Sequence, residues 1–413
     1  MNHTMKAPHA YYLYSGASSL ILATVYTINM LYFIETAKLS PLQMVLVGTA
    51  MECSCFFFEI PTGVVADMFS RKISILIGLV LMGFGFALQG IFPNFWVILL
   101  SQLIWGLGFT FGSGADTAWI ADEVEKEPLE KVFMRGTQFR FVGSFAGIFL
   151  SAFLAKTFSY SLPNIVGGIL FVLLSLFLFF FMPEKNFRPQ ARGDRNNMAV
   201  AYDTFKSGLV QVKASSVLIL IVAISAFEGL YSEGLDRLWT FHLAKDIGFP
   251  NSQFDAVTWL SAMSAVTMLL SIGAVEVAQR VLKNSAKSKI VWLLLVLNAI
   301  QFLAMISFSL LGNFYLAVAA YCCLTMMRNT IQPLISFWNN ENITDSTVRA
   351  TVLSTKSQVN ALGQMAGGPL VGMIAKQFSV TVALLTSTAL LVPIMIILGM
   401  VGMKSARRSF EVT

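Results

Sequence analysis

Apolar stretches of about 20 residues recur from Tyr12 to Met403, and none alternates polar with apolar residues as a membrane-barrel strand would. Lipid offers no partner for backbone N–H and C=O groups, so a segment that crosses it must satisfy its own backbone. Length and the missing alternation select helices. Composition agrees: 56% of the 413 residues are hydrophobic and 12% are charged, against about 25% charged in ordinary soluble domains. The expected fold class is an all-α polytopic membrane protein.

Twelve spans account for the apolar stretches: 11–34, 42–66, 73–92, 95–120, 135–158, 162–182, 215–243, 252–279, 290–311, 313–337, 351–376 and 379–403. Of the 28 lysines and arginines, 21 then fall on one side, in the loops and span ends that follow from placing the N-terminus inside. Lys38, Lys156, Lys245 and Lys376 fall on the other, and Arg140, Arg237 and Arg328 within spans. That bias sets both termini in the cytoplasm of a multi-pass plasma-membrane protein. It also explains the net charge of +6 without nucleic acid as a partner. Lys6 precedes an apolar run too long for a cleavable signal peptide, so the first span is expected to be an uncleaved anchor. Cys53, Cys55, Cys322 and Cys323 lie inside spans without metal-ligand spacing and read as small hydrophobes. No metal or cofactor is expected.

The longest polar interruption, opening PEKNFRPQARGDRNN, divides the chain into an N-terminal six-helix bundle (1–182), a cytoplasmic linker (183–214) and a C-terminal six-helix bundle (215–413). A short surface helix near 198–213 would close the linker. The halves resemble each other. TQFRFVGSFAGIFLSAFLAK (137–156) aligns without gaps to SQVNALGQMAGGPLVGMIAK (357–376), with seven identities that include paired Gln, Gly and Lys. WIAD (119–122) similarly matches WNNE (338–341). Twelve helices in two pseudo-symmetric bundles of like orientation is the parallel-repeat plan of a transporter. Gly143/Gly147 and Gly363/Gly367 form small-xxx-small pairs, expected to pack where the halves meet.

Charges inside a membrane need a reason. One group lies near the cytoplasmic ends: Glu59, Asp67, Arg71 and Lys72 around the second span's end, Asp116 and Asp122 at the fourth, and Arg140 in the fifth. Opposite charges gathered there suggest an inner latch; headgroup-level charges that only fix topology are the plain alternative. A second group is deeper. Glu52 lies ten residues into its span, about 15 Å from the outer edge. Glu52 and Glu59, seven apart, share a helix face with Phe56 and Gly63, and Pro61 with Gly63 would let that helix bend and its backbone approach a neighbour. Glu228 and Arg328 are similarly deep. In YSEGLDRLW (231–239), Glu233 and Arg237 sit four apart on one face, which leaves Asp236 unmatched unless it is protonated or finds another base.

These residues resemble the major facilitator superfamily. GVVADMFSRK (63–72) is similar to its signature loop between the second and third helices, departing at Met68 and Ser70. Together with EIPTGVVAD (59–67), SGADTAWIADE (113–123) and SEGLDRLW (232–239), it looks like the branch of macrolide- and tetracycline-efflux-type drug:proton antiporters. Gln102 stands where such antiporters often carry Arg, and GSFAG (143–147) lacks the branch's Pro. The resemblance implies that Gly63, Asp67 and Arg71 form the inner-gate motif. It also implies that helices one, four, seven and ten line a central cavity, which makes Tyr26, Asn29, Glu228, Asp236, Arg237 and Arg328 cavity candidates, with Glu233 beside them.

The expected function is secondary active transport by alternating access. The chain has no phosphate-binding Gly-x-x-x-x-Gly-Lys-Ser/Thr run, so energy would come from a gradient. Glu52, Glu228 and Asp236 are the proton-coupling candidates. The small-molecule substrate would be a partly hydrophobic drug or secondary metabolite moved outward by a monomer; a cell metabolite, lipid or siderophore is the alternative. A membrane-embedded receptor or enzyme is the remote alternative, and an enzyme is not expected: His3 and His9 are N-terminal, His242 is near a helix end, and no catalytic constellation lies at membrane depth.

Overall fold

The computed structural model describes residues 5–124, 128–188, 216–283, 287–342 and 346–410, which form helices and short turns with no strand among them. The helices are α1 (Ala7–Glu35), α2 (Pro41–Met68), α3 (Arg71–Ile91), α4 (Phe95–Gly112), α5 (Ala115–Glu123), α6 (Leu129–Thr157) and α7 (Leu162–Phe181). There follow α8 (Ser216–Phe241), which continues as a π-helical turn (His242–Ile247), α9 (Ala256–Leu282), α10 (Lys287–Leu310), α11 (Phe314–Asn342), α12 (Ser346–Gln377), α13 (Val380–Ala389) and α14 (Val392–Phe410). The surface helix expected near 198–213 lies outside the described residues.

Ten of the twelve expected spans form helices both long and apolar enough to cross a membrane. The other two are α11 and α12, of 29 and 32 residues, long enough but more polar. Local chemistry sets the boundaries. Ser40 and Gln43 form a reciprocal capping box ahead of Pro41, Ser70 caps α3 by accepting from Ile73 N–H, and Asn94 caps α4 by accepting from Trp96 N–H. Two expected spans are broken. The fourth divides at Ser113–Gly114, where Gly114 takes a φ of 73°, a left-handed conformation that suits a residue without Cβ. The twelfth divides before Pro393, which has no N–H to give to the preceding turn. α2 runs on through Pro61, with the Thr62 hydroxyl donating to the Phe58 carbonyl at 2.8 Å.

The chain gathers into two compact units. The first holds α1–α7 apart from residues 44–49 of α2, and takes in residues 257–261; the second holds residues 44–49 and the rest of α8–α14. In the first, α6 lies against α1 so closely that a Cβ on Gly143 would strike the Gly16 carbonyl and one on Gly147 the Leu20 carbonyl. In the second, α12 lies against α8, where Gly363 faces the Ala226 carbonyl and Gly367 the Leu230 carbonyl. The glycines are offset by 220 residues and their carbonyl partners by 210, so one contact is built twice. This corrects their expected place at the joint: each pair packs on the opening helix of its own unit. Close backbone approach supplies dispersion contacts that lipid, as apolar as the side chains, cannot drive by exclusion.

Candidate functional site

In the first unit, α2's C-terminal end, α3, α5 and the residues after α7 meet in a charged cluster. Arg71 Nη1 donates to Asp122 of α5 and to the Ala118 carbonyl (2.8 Å), while Asp67 lies 3.7 Å from Arg71 Nη2. Lys72 turns another way: its Nζ donates to the Phe179 and Met182 carbonyls at 2.9 and 2.6 Å, a cation on the C-terminal end of α7. Glu59 accepts from Ser113 Oγ at 3.0 Å and so ties α2 to the α4–α5 break. Asp116, in the first turn of α5, accepts from Thr117 N–H at 2.6 Å and lies in electrostatic range of Arg140, whose Nη2 donates to Tyr11 Oη at 3.2 Å. The charges grouped by sequence are therefore distributed: one ion-paired knot around Arg71, with Lys72, Glu59 and Arg140 each binding a different helix. Gly63 does not provide the expected close backbone approach, since a Cβ there would meet nothing within 4 Å.

Glu184 stands in the polar stretch after α7, where nothing in the sequence distinguishes it from its charged neighbours. Its carboxylate accepts from Ser70 Oγ (2.5 Å) and Lys72 N–H (2.9 Å), an acid on the N-terminus of α3. Trp119 Nε1 donates to the neighbouring Pro183 carbonyl at 2.7 Å, and Glu123 accepts from the N–H groups of Lys185 and Asn186. The chain leaving α7 is thus fastened across the signature loop.

Gln89 is the hub of a second polar group. Its side chain donates to Asn29 Oδ1 (3.1 Å) and Asn164 Oδ1 (2.7 Å) and accepts from Gln102 Nε2 (2.8 Å), while its backbone carbonyl takes the Tyr32 hydroxyl. This buried network joins α1, α3, α4 and α7. It holds Asn29 inside the unit, 2% exposed, whereas Tyr26, one turn earlier, is 38% exposed and sits edge-on to Phe86 and Trp105. A lone amide in an apolar run was the available signal for Gln89 and Asn164.

The second unit concentrates charge on α8. Glu233 and Arg237 pair at 2.8 Å, their side chains 2% and 10% exposed. Glu233 Oε1 and the Arg237 guanidinium lie over Gly48, where any Cβ would collide with them, and a Cβ on Gly368 of α12 would come within 3.2 Å of Glu233 Cγ. Asp236, left open by sequence, finds its base on α11: Arg328 grips both carboxylate oxygens, Nη2 to Oδ2 at 2.7 Å. This pair is more open, with the side chains 42% and 26% exposed. Glu228, two turns before Asp236, is buried and in electrostatic range of Arg328 and of Lys356 on α12. Nearby, Gln301 of α10 donates to Tyr231 Oη at 3.1 Å, and Trp239 stacks on Tyr321 of α11 at 4.2 Å. Acids on one helix thus face bases on two others, a grouping that can exchange ionic partners as protons or a charged ligand arrive. Glu52 is half-buried on α2, in the first unit. Among the described residues, no group of three His, Cys, Asp or Glu could hold a metal ion.

The sequence profile described as Major Facilitator Superfamily matches residues 12–354. The chain is 23% identical over 389 residues to the "Uncharacterized MFS-type transporter YxaM" of Bacillus subtilis, covering 94% of each. It is 26% identical over 196 residues to "Multidrug resistance protein MdtH" of Salmonella typhimurium, covering 45% of this chain and 48% of that one. Among solved structures, the nucleoside transporter NupG superposes with a TM-score of 0.75 at 14% identity, covering 97% of this chain and 100% of that one.

Proposed function

This chain belongs to the major facilitator superfamily, a multi-pass secondary transporter, and from that premise we propose that it exports a partly hydrophobic drug or secondary metabolite in exchange for protons. The observation that carries the reading is the acid–base grouping on α8, above all Asp236 held by Arg328 across helices. Protonating Asp236 removes the charge that holds Arg328, and ionising it restores the grip. An arginine released in this way can meet a substrate or change which conformation is favoured. Glu228 and Glu52 are the other exchangeable carboxylates, and the freed Arg328 contacts the substrate.

Similarity to MdtH over about half the chain favours export of toxic compounds. The charge bias favours both termini in the cytoplasm, with the Arg71 knot at the inner face. There Arg71, Asp67 and Asp122 would act as a gate that reforms in each cycle. Expression in a strain lacking its own exporters, tested against a panel of toxic amphiphiles, separates the readings. Raised tolerance to several unrelated compounds that is lost in Asp236→Asn supports export; unchanged tolerance, with altered uptake of a single metabolite, supports the metabolite carrier.

A further inference from the structure

The π-helical turn at the end of α8 is closed by Gly248 N–H donating to the Leu243 carbonyl, five residues back, at 3.0 Å. It opens with His242, which is 3% exposed. Both ring nitrogens of His242 face oxygen: Nδ1 is 2.7 Å from Asp246 Oδ2, and Nε2 is 3.2 Å from the Phe308 carbonyl oxygen. A carbonyl and an ionised carboxylate both accept, and neither donates. Neutral imidazole has one N–H and one lone pair, so whichever nitrogen keeps the hydrogen, the other sets a lone pair against an oxygen. Imidazolium, with two N–H groups, satisfies both contacts.

Phe308 lies in the last turn of α10, whose carbonyls have no donor within their own helix and carry the negative end of its dipole. A proton on Nε2 caps that helix end, and the positive charge is favoured there as well as by Asp246. The Phe308 ring also meets the imidazole, with centroids 5.3 Å apart, and contacts Tyr321 of α11 on its other side at 5.5 Å. Lys245 lies in the same turn and is exposed; the Asp236–Arg328 pair is further back along α8.

We infer that His242 and Asp246 form a proton-binding site, distinct from the carboxylates deeper on α8, which pins the end of α8 to the end of α10 when it is loaded. Losing the proton turns one of the two hydrogen bonds into a repulsive contact and releases the end of the helix that carries Glu228, Glu233 and Asp236. The ligand is the proton itself, so site occupancy follows the pH of the solution that reaches Asp246, whose side chain is 37% exposed.

The chain has three histidines, which makes ring-nitrogen NMR direct. The full chain, labelled with 15N-histidine and held in lipid nanodiscs, is measured from about pH 5 to about pH 9, a range that brackets free histidine. His242→Gln identifies the His242 signals and keeps an N–H donor for Phe308. The expected result is two protonated ring nitrogens on His242 near neutral pH, collapsing to a neutral-tautomer pattern in Asp246→Asn. A neutral imidazole at His242 near pH 7 in the unaltered chain would overturn the inference, as would an imidazolium signal indifferent to Asp246→Asn. The readout needs no substrate, so its failure is separate from failure of the export reading.

Discussion

Asp236 and Arg328 come from helices more than ninety residues apart in sequence and meet in a two-pronged ion pair, with Nη2 to Oδ2 at 2.7 Å. One turn away, Glu233 and Arg237 form a second pair on α8 alone, at 2.8 Å. The two differ in burial, and that difference separates their roles.

Glu233→Gln removes the carboxylate charge from a buried ion pair with Arg237, a change that costs about 3–5 kcal/mol. Asp236→Asn breaks a pair whose side chains are 42% and 26% exposed, and partly exposed pairs contribute about 1 kcal/mol or less. Thermal unfolding in detergent should therefore show a large loss of Tm for the first and a small one for the second. Transport should show the reverse emphasis, with Asp236→Asn folded but uncoupled. Equal Tm losses would contradict this assignment.

Arg71 and Asp122 should be energetically coupled. In a double-mutant cycle with Arg71→Gln and Asp122→Asn, the two single losses together should exceed the loss in the double variant by about 0.5–3 kcal/mol. The same cycle through Asp67, at 3.7 Å, should give less coupling. Chemical unfolding of the variants in each cycle measures both.

Replacing Gly147 or Gly367 by Leu forces helices apart where a carbonyl already occupies the Cβ position. Overpacking of this kind costs about 1–3 kcal/mol or more, so folded yield should fall for both. Gly399→Ala, where nothing lies within 4 Å, should be neutral or slightly stabilising. Size-exclusion profiles of the solubilised variants compare them.

Gln89→Leu removes the hub of the amide network and leaves Asn29, Asn164 and Gln102 each without a partner they now have. Each stranded buried group costs about 1–3 kcal/mol, so this variant should lose more stability than the isolated change Gln89→Glu at low pH, where a protonated carboxyl still donates and accepts. Thermal scans at two pH values test it.

The fold was largely written in the sequence, because an apolar stretch of spanning length has few structures open to it in lipid. The helix ends were less so: the breaks at Gly114 and ahead of Pro393 interrupt runs whose composition alone reads as continuous. The repeat was visible in Gly143, Gly147, Gly363 and Gly367, but their partners were not, since a small residue announces closeness without naming its neighbour. Pairing on one helix, as for Glu233 and Arg237, follows from spacing. Pairing across helices does not, so Arg328 as the partner of Asp236, Asp122 as that of Arg71, and Glu184 on Ser70 required the structure.

The most direct test of proton-coupled export uses purified protein in liposomes, loaded with a compound to which it confers tolerance, with internal pH followed by a trapped dye. Addition of substrate should move protons against the substrate flux, and an imposed proton gradient should drive substrate accumulation that an ionophore abolishes. Replacing Glu52 and Glu228 by Gln and Asp236 by Asn together should leave substrate movement without proton movement. Proton flux that survives all three replacements, or accumulation indifferent to the gradient in the unaltered protein, would contradict the proposed coupling.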